Sequence, residues 1–442
     1  MPRDPFLKIF TIWWPLALSW LFMGLEQPLI SAAIARLPDP TIHLAALGGI
    51  VFPFALAIES PIVMLLSAST AMADNKQAYK LMYRFMMIAG ALLTGLHALL
   101  AFTPLYDLFI VAALAPPEEI VEPARWGLRA MLPWTWSIAH RRFQQGVLIR
   151  YGDAKAVSVG TLLRLIANVL SMAVTIFLGL PGIVVAGLGI SAGVITEAIF
   201  IAIRARPIIR DKLPDLVDDP LSWRAFGIFY APLAFTTVLL LGSQPIGSAA
   251  IGRMPEALNS LAVWPVLVAF IFLFRGLGFA FNEVVVTALK EKKASFSDLT
   301  RSAHLLSLAL TVLLGLVALT PLSRGYFAGV AGLNNTLAPL AVAAFIYAIF
   351  WPALSVYRNL YQGVIVFSGQ TRFVSEAVVA SLVVTSTLLF TGVALGTYTG
   401  LFVGVVAFLA GTVAQVLWLF WRSHNIRIGL EQRAKLEPAP IV

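Results

Sequence analysis

Cysteine is absent from the 442 residues, and with it go disulfides, thiolate metal sites and thiol redox chemistry. Charge is scarce too: Asp, Glu, Lys and Arg make up 12% of the chain, against 59% hydrophobic residues. A water-soluble domain of this length has no core large enough to hide so much apolar surface. None of the five histidines begins an H-E-x-x-H, and no G-K-[ST] loop occurs, which removes a zinc protease and a self-contained ATPase from consideration. The ten-residue alternation of an outer-membrane barrel is missing as well. The run from Gly189 to Gly193 matches G-x-S-x-G, but it lies in an apolar helix, where small residues serve helix packing and no strand-to-helix elbow can form. The chain is not expected to be an enzyme.

What is present is a succession of apolar runs of about 20 residues or more, the length a helix needs to cross a ~30 Å hydrocarbon layer. Helices satisfy their own backbone hydrogen bonds in lipid, so an all-α integral membrane bundle follows. About twelve spans are predicted: 6–36, 43–73, 78–102, 122–150, 156–179, 182–205, 224–253, 258–290, 299–320, 336–368, 372–395 and 399–422. The N-terminus leads into a long apolar segment without a small-residue cleavage site and reads as the first span. The net charge of +9 is spread over short loops with no groove-reading motif, which argues for membrane topology and against nucleic acid. Lys76, Lys80, Arg84, Arg150, Lys155, Arg204, Arg206, Arg210, Lys212, Lys290, Lys292, Lys293, Arg301, Arg422, Arg427, Arg433 and Lys435 fall at one set of ends. The opposite loops include the acidic Glu118, Glu119 and Glu122. The positive-inside rule then places both termini in the cytoplasm of a multi-pass protein of the inner or plasma membrane.

The stretch from Arg206 to Arg224 is a long hydrophilic linker in mid-chain. Its Asp215, Asp218 and Asp219, lying between Pro214 and Pro220, read as a solvated loop in preference to a metal site. It divides the chain into a first six-helix bundle over 1–206, a cytoplasmic linker over 207–223, a second bundle over 224–425 and a cytoplasmic tail over 426–442. The bundles repeat each other. LEQPLISAAIARLP near the start returns as GSQPIGSAAIGRMP, with Gln27 and Gln244 separated by 217 positions. The same step relates Pro15 to Pro232, Trp134 to Trp351, Arg141 to Arg358, Gln145-Gly146-Val147 to Gln362-Gly363-Val364, Gly152 to Gly369 and Lys155 to Arg372. Each unit has an even number of spans, so this is a parallel repeat about an axis along the membrane normal.

Two such bundles create a central cavity, and ionisable residues far inside the spans are the candidates for function. Here these are Glu26, Glu59, Arg141, Arg142, Arg164, Glu197, Arg275, Glu283, Arg358 and Glu376. Arg141 and Arg358 each stand four residues before a Gln (Gln145, Gln362) and seven after a Trp, so the three share one helix face. Arg275 and Asn282 have the same seven-residue relation. Guanidinium forks suit a polyvalent phosphate or carboxylate; the alternative use is pairing with Glu59, Glu283 or backbone carbonyls. Glu26, Glu59 or Glu283 would couple transport to protons or sodium, since a carboxylate in apolar surroundings can exchange a proton near neutrality. Pro28 and Pro245 cannot donate the helix bond and free carbonyls in mid-span. Gln27 and Gln244, with Ser31 and Ser248 beyond, can bond to those groups or to a ligand, so the echoed motif reads as a polar-lined hinge.

Pro15-Leu16 with Glu26-Gln27-x-Leu29, then Pro232-Leu233-Ala234, Ser243-x-Pro245-Ile246 and Trp264-Pro265-Val266, resemble the multidrug/oligosaccharidyl-lipid/polysaccharide (MOP) exporter superfamily, which includes MATE-type exporters. Within it the chain is similar to the progressive ankylosis (ANK) family, although the animal members carry Arg where this chain has Ser31 and Gln244. The resemblance implies a V-shaped, MATE-like transporter and, from the ANK family, export of pyrophosphate, nucleotide phosphates or citrate. The reading is therefore a secondary exporter of a small polyvalent anion. Arg141, Arg275, Arg358, Gln27, Gln244, Gln145, Gln362 and Asn282 are expected on the substrate. A MATE-like cation or drug antiporter using Glu26, or a lipid-precursor flippase, is the alternative. The expected partners are a small anionic molecule, the bilayer and the coupling ion, with no cofactor, for a monomer.

Overall fold

A computed structural model of the chain describes residues 5–215, 221–291 and 294–436. The first half holds α1 (Pro5–Gly24), α2 (Glu26–Ile34), α3 (Pro40–Ala46), α4 (Phe52–Glu59), α5 (Leu65–Met72), α6 (Lys76–Phe102), α7 (Ala112–Leu114), α8 (Val121–Ala130), α9 (Leu132–Arg150), α10 (Ala154–Phe177) and α11 (Gly182–Asp211). The second holds α12 (Trp223–Gly252), α13 (Ala257–Lys290), α14 (Phe296–Leu319), α15 (Leu322–Arg324), α16 (Leu337–Ala348), α17 (Trp351–Phe367), α18 (Arg372–Leu395), α19 (Gly400–Arg422) and α20 (His424–Leu436). No strand occurs among the described residues.

Eleven stretches of the described residues are long and apolar enough to cross a membrane. They match the predicted spans except for 122–150, where α9 carries Arg141 and Arg142 and turns most of its side chains, Trp134, Ile138, Phe143 and Leu148 among them, into protein. A helix shielded from lipid by its neighbours can hold charge that a lipid-facing one cannot. Several predicted spans are not single helices. The fourth breaks at Met131 into α8 and α9, and the tenth at Ile349 and Phe350 into α16 and α17. Each new helix opens with a proline, Pro133 and Pro352, in a first turn where the missing N–H has no partner to lose.

The expected symmetric hinge is present as a break in one repeat only. The chain leaves α1 at Gly24 and restarts at Glu26, putting Pro28 in the first turn of α2, whereas Pro245 lies inside an unbroken α12. The stretch Pro207–Asp211 of the predicted linker continues α11, and Lys76 pairs with Asp215 at 2.6 Å. Asp218, Asp219, Pro220, Lys292 and Lys293 lie outside the described residues. The predicted tail begins as α20, which lays Ile426 and Leu430 against the core of α13, α14 and α17.

The repeat is written into the backbone. Gly152 and Gly369 end α9 and α17 with φ of 84° and 78°, and Gly179 and Gly396 follow α10 and α18 with φ of 70° and 62°. These left-handed positions are open to glycine at no steric cost. The repeated Gln-Gly-Val also has a spatial reason. A Cβ on Gly146 would collide with Ser69 and the Leu66 carbonyl of α5, and one on Gly363 would lie 2.7 Å from Val285 of α13.

Contacts group the chain differently from its sequence halves. One unit, here the central unit, is Ile30–Pro265; the other, the terminal unit, is Met1–Leu29 with Val266–Val442. In the terminal unit α1 packs on α14, with Trp13 donating to the Leu277 carbonyl at 2.9 Å. In the central unit α12 packs on α4 and on the π-helix Leu47–Val51, where Ser248 donates to the Gly48 carbonyl at 3.2 Å. The first helix of each repeat thus belongs with the helices of the other repeat. Both chain passages between units adjoin a proline, Pro28 before Ile30 and Pro265 before Val266.

Candidate functional site

In the central unit the embedded charges converge on one carboxylate. Glu197 of α11, with none of its side chain exposed, receives Arg141 of α9 at 2.7 Å through Oε2, and Arg164 of α10 approaches the same oxygen at 3.7 Å. Its Oε1 accepts from Gln145 Nε2 at 2.9 Å and from Thr161 Oγ1 at 3.4 Å. The helical spacing that set Arg141 and Gln145 on one face lets both reach one carboxyl group. Glu59, at the end of α4, is 5% exposed, has Oε2 enclosed without a hydrogen-bond partner, and lies in the field of Arg142, Arg141 and Arg164. The cluster therefore sets three guanidiniums against two carboxylates. Buried charges persist where pairing and hydrogen bonds replace water.

The equivalent face of the terminal unit is built otherwise. Trp351, Ser355, Arg358 and Gln362 form a stripe along α17. Arg275 of α13 donates from Nε to Ser355 Oγ at 3.1 Å, and its guanidinium lies 4.6 Å from the Trp351 ring centre and 5.4 Å from that of Phe279. Arg358 lies 5.0 Å from the centre of the same Phe279 ring, and its Nε is enclosed without a partner. Trp20 of α1 closes edge-on against Phe279 at 5.2 Å. Aromatic faces attract guanidinium groups but supply no compensating charge. Among the described residues no carboxylate pairs with Arg275 or Arg358, and the charge Arg275 does feel is that of Arg358. Asn282 adds a buried, unpartnered Oδ1 to this unit. Among the described residues, then, Arg275 and Arg358 are two half-buried cations on the Phe279 ring with no anion beside them, and the Ser355 hydroxyl that accepts from Arg275 donates in turn to the Trp351 carbonyl.

The predicted site residues thus separate. Arg275, Arg358 and Gln362 share the terminal unit with Asn282, while Arg141 and Gln145 are engaged by Glu197 in the central unit. Glu26, 7% exposed, and half-buried Gln27 open α2 in the terminal unit; half-buried Gln244 lies in α12 of the central unit. Ser31 Oγ is enclosed without a partner, unlike its repeat mate Ser248. Glu283 is exposed, and neither it nor Glu59 forms an ion pair with the candidate arginines. Glu197 as the common acceptor, with Phe279 and Ser355 as the supports of Arg275, escaped the sequence reading. Glu197 lies 56 residues from Arg141 and Ser355 lies 80 from Arg275, beyond any local pattern, whereas Phe279, four residues after Arg275, was within reach of the helical spacing.

The architecture matches solved transporter structures. An inward-facing multidrug resistance MATE family transporter of the MOP superfamily aligns with a TM-score of 0.69 at 15% identity, covering 93% of this chain and 99% of its own. The fold is that of the MATE transporters. An outward-facing MATE structure gives 0.65 at 17% identity over 98% of each chain. A MOP superfamily transporter from Pyrococcus furiosus, described as having a binding pocket of reverse polarity that suggests a different function, gives 0.63 at 16% identity over 98% of this chain and 97% of its own. No protein-family model matches the sequence, and no curated protein matches it.

Proposed function

We propose that the protein is a secondary exporter of a small polyvalent anion such as pyrophosphate, a nucleotide phosphate or citrate, working by alternating access with both termini in the cytoplasm. The observation that carries this reading is the Arg275 and Arg358 pair, held by Phe279, Trp351 and Ser355 with no carboxylate among the described residues to neutralise it. The MATE fold supports transport in general, and its reversed-polarity relative indicates that this architecture is used with pockets of differing charge. The ANK-like affinity read from the short motifs belongs to the same proposal. Glu59, enclosed with a free oxygen beside three arginines, is the candidate for proton coupling.

The multidrug names of the MATE relatives support a second reading, a proton- or sodium-coupled antiporter of cationic drugs. Proteoliposomes loaded with the purified chain distinguish the two. Uptake of labelled pyrophosphate, citrate or ATP that disappears in Arg358→Ala supports the anion reading. Uptake of a cationic dye that survives in Arg358→Ala and is lost in Glu26→Gln, with no anion uptake, replaces it with the second.

A further inference from the structure

The repeat supplies its own comparison for the unpaired cations. Arg141 and Arg358 are repeat mates 217 positions apart, yet among the described residues one meets a carboxylate and the other none. The difference traces to the last helix of each repeat. Before it, Gly179-Leu-Pro-Gly182 in the first repeat corresponds to Gly396-Thr-Tyr-Thr-Gly400 in the second, one residue longer. The last helices, α11 and α19, both open on the second of these glycines. Counted from there, Glu197 and Gln415 occupy the same step.

Packing fixes this register independently. A Cβ on Gly193 would lie 2.9 Å from the Arg164 carbonyl oxygen, and one on Gly411 would lie 2.9 Å from that of Ser381, the repeat mate of Arg164. Gln415 also lies on the stretch of α19 that faces Arg358's stretch of α17. Trp351 donates to Thr412 at 3.0 Å on one side, and Tyr361 meets Phe420 edge-on at 5.3 Å on the other. Arg358 falls between the first members of these contacts and Gln415 between the second. Gln415 is 7% exposed, and among the described residues it enters no hydrogen bond.

We infer that a carboxylate or phosphate oxygen of the substrate takes, beside Arg358, the place that the Glu197 carboxylate takes beside Arg141, and that Gln415 is the residue that leaves this place open. Glutamine keeps the length and shape of glutamate and removes its charge, so the second repeat retains the socket while losing its resident anion. The Arg141 socket is filled by Glu197 of the chain itself, and the Arg358 socket is filled only by cargo. This deepens the anion-exporter reading and rests on it.

Titration calorimetry of the full-length protein in detergent, with citrate and with pyrophosphate at fixed ionic strength, tests the inference. Wild type is expected to bind one anion. Gln415→Glu, which supplies the missing carboxylate, should weaken binding at least about tenfold, while the uncharged Gln415→Met stays within about threefold. Binding that Gln415→Glu leaves unchanged overturns the role of Gln415 alone, and loss in both variants overturns it too, since the amide itself would then hold the anion. Absence of wild-type binding to either probe removes the anion reading as a whole. Should Gln415→Glu fail to fold, Glu197→Gln decides: freeing Arg141 should raise the stoichiometry from one anion to two, and an unchanged stoichiometry refutes the equivalence of the two sockets.

Discussion

The Arg141 guanidinium and the Glu197 carboxylate meet at 2.7 Å with 5% and 0% of their side chains exposed. Removing one member of such a pair strands the other, which costs about 3–5 kcal/mol, whereas replacing both by apolar groups of similar size is often close to neutral. Glu197→Ala is therefore expected to lower the unfolding midpoint in detergent more than the double variant Arg141→Met, Glu197→Leu. A double variant that is the less stable of the two would show that Arg164 and Gln145 depend on this pair more than the pair costs.

Arg358 has no such partner, so its loss should fall on binding and spare folding. Arg358→Ala is expected to abolish anion uptake in proteoliposomes with an unfolding midpoint near wild type, and Arg358→Lys to retain part of it, because an ammonium keeps the charge without the fork. Wild-type uptake by Arg358→Ala removes the residue from the site.

Ser31 and Ser248 occupy the same place in the echoed motif but differ in bonding. Ser248→Ala forfeits the bond to the Gly48 carbonyl and should cost about 0.5–1.5 kcal/mol. Ser31→Ala removes a buried hydroxyl that bonds to nothing within the described residues and should be neutral or stabilising. Paired thermal denaturation of the two variants reads the contrast directly.

Gly146 and Gly363 hold a helix crossing in each unit. Gly146→Val forces side-chain volume into the α5 backbone and should destabilise by more than about 1–3 kcal/mol, the usual cost of overpacking a core. Gly363→Val meets Val285 side-chain atoms first and should cost less. Equal losses in the two variants would mean that α5 gives way as readily as a side chain does.

If Glu59 carries the coupled proton, Glu59→Gln, which keeps the shape and cannot ionise, should take up anion equally with and without an imposed pH gradient. A gradient response that survives the substitution assigns coupling elsewhere, with Glu26 the next residue to change.

The sequence made the spans, the repeat and the candidate arginines legible because each leaves a local or periodic trace: an apolar run, a fixed step of 217, or a shared helix face. Helix breaks at Met131 and at Ile349 and Phe350 were not visible, since proline at the start of a helix and proline within one look alike in a string of letters. The fate of Arg141 was hidden for another reason. Glu197 reaches it across the fold, and the one-residue difference ahead of Gly400 moves Gln415 off the common step, so the contrast between the two repeats emerges only once α11 and α19 are set side by side.

The exchange of first helices has a bearing on how the chain is made. α1 is made before its packing partners in the terminal unit, which begin at Val266, more than two hundred residues later. During that interval α1 lacks the rest of its unit, a state that its exposed Leu7, Phe10, Trp14, Leu18 and Phe22 suit to lipid. The central unit, complete once Pro265 has emerged, can close around α12 while α1 still waits. A span made well ahead of its partners is thus late to find its place, and a chain interrupted before residue 266 would leave α1 without the rest of the unit it packs in.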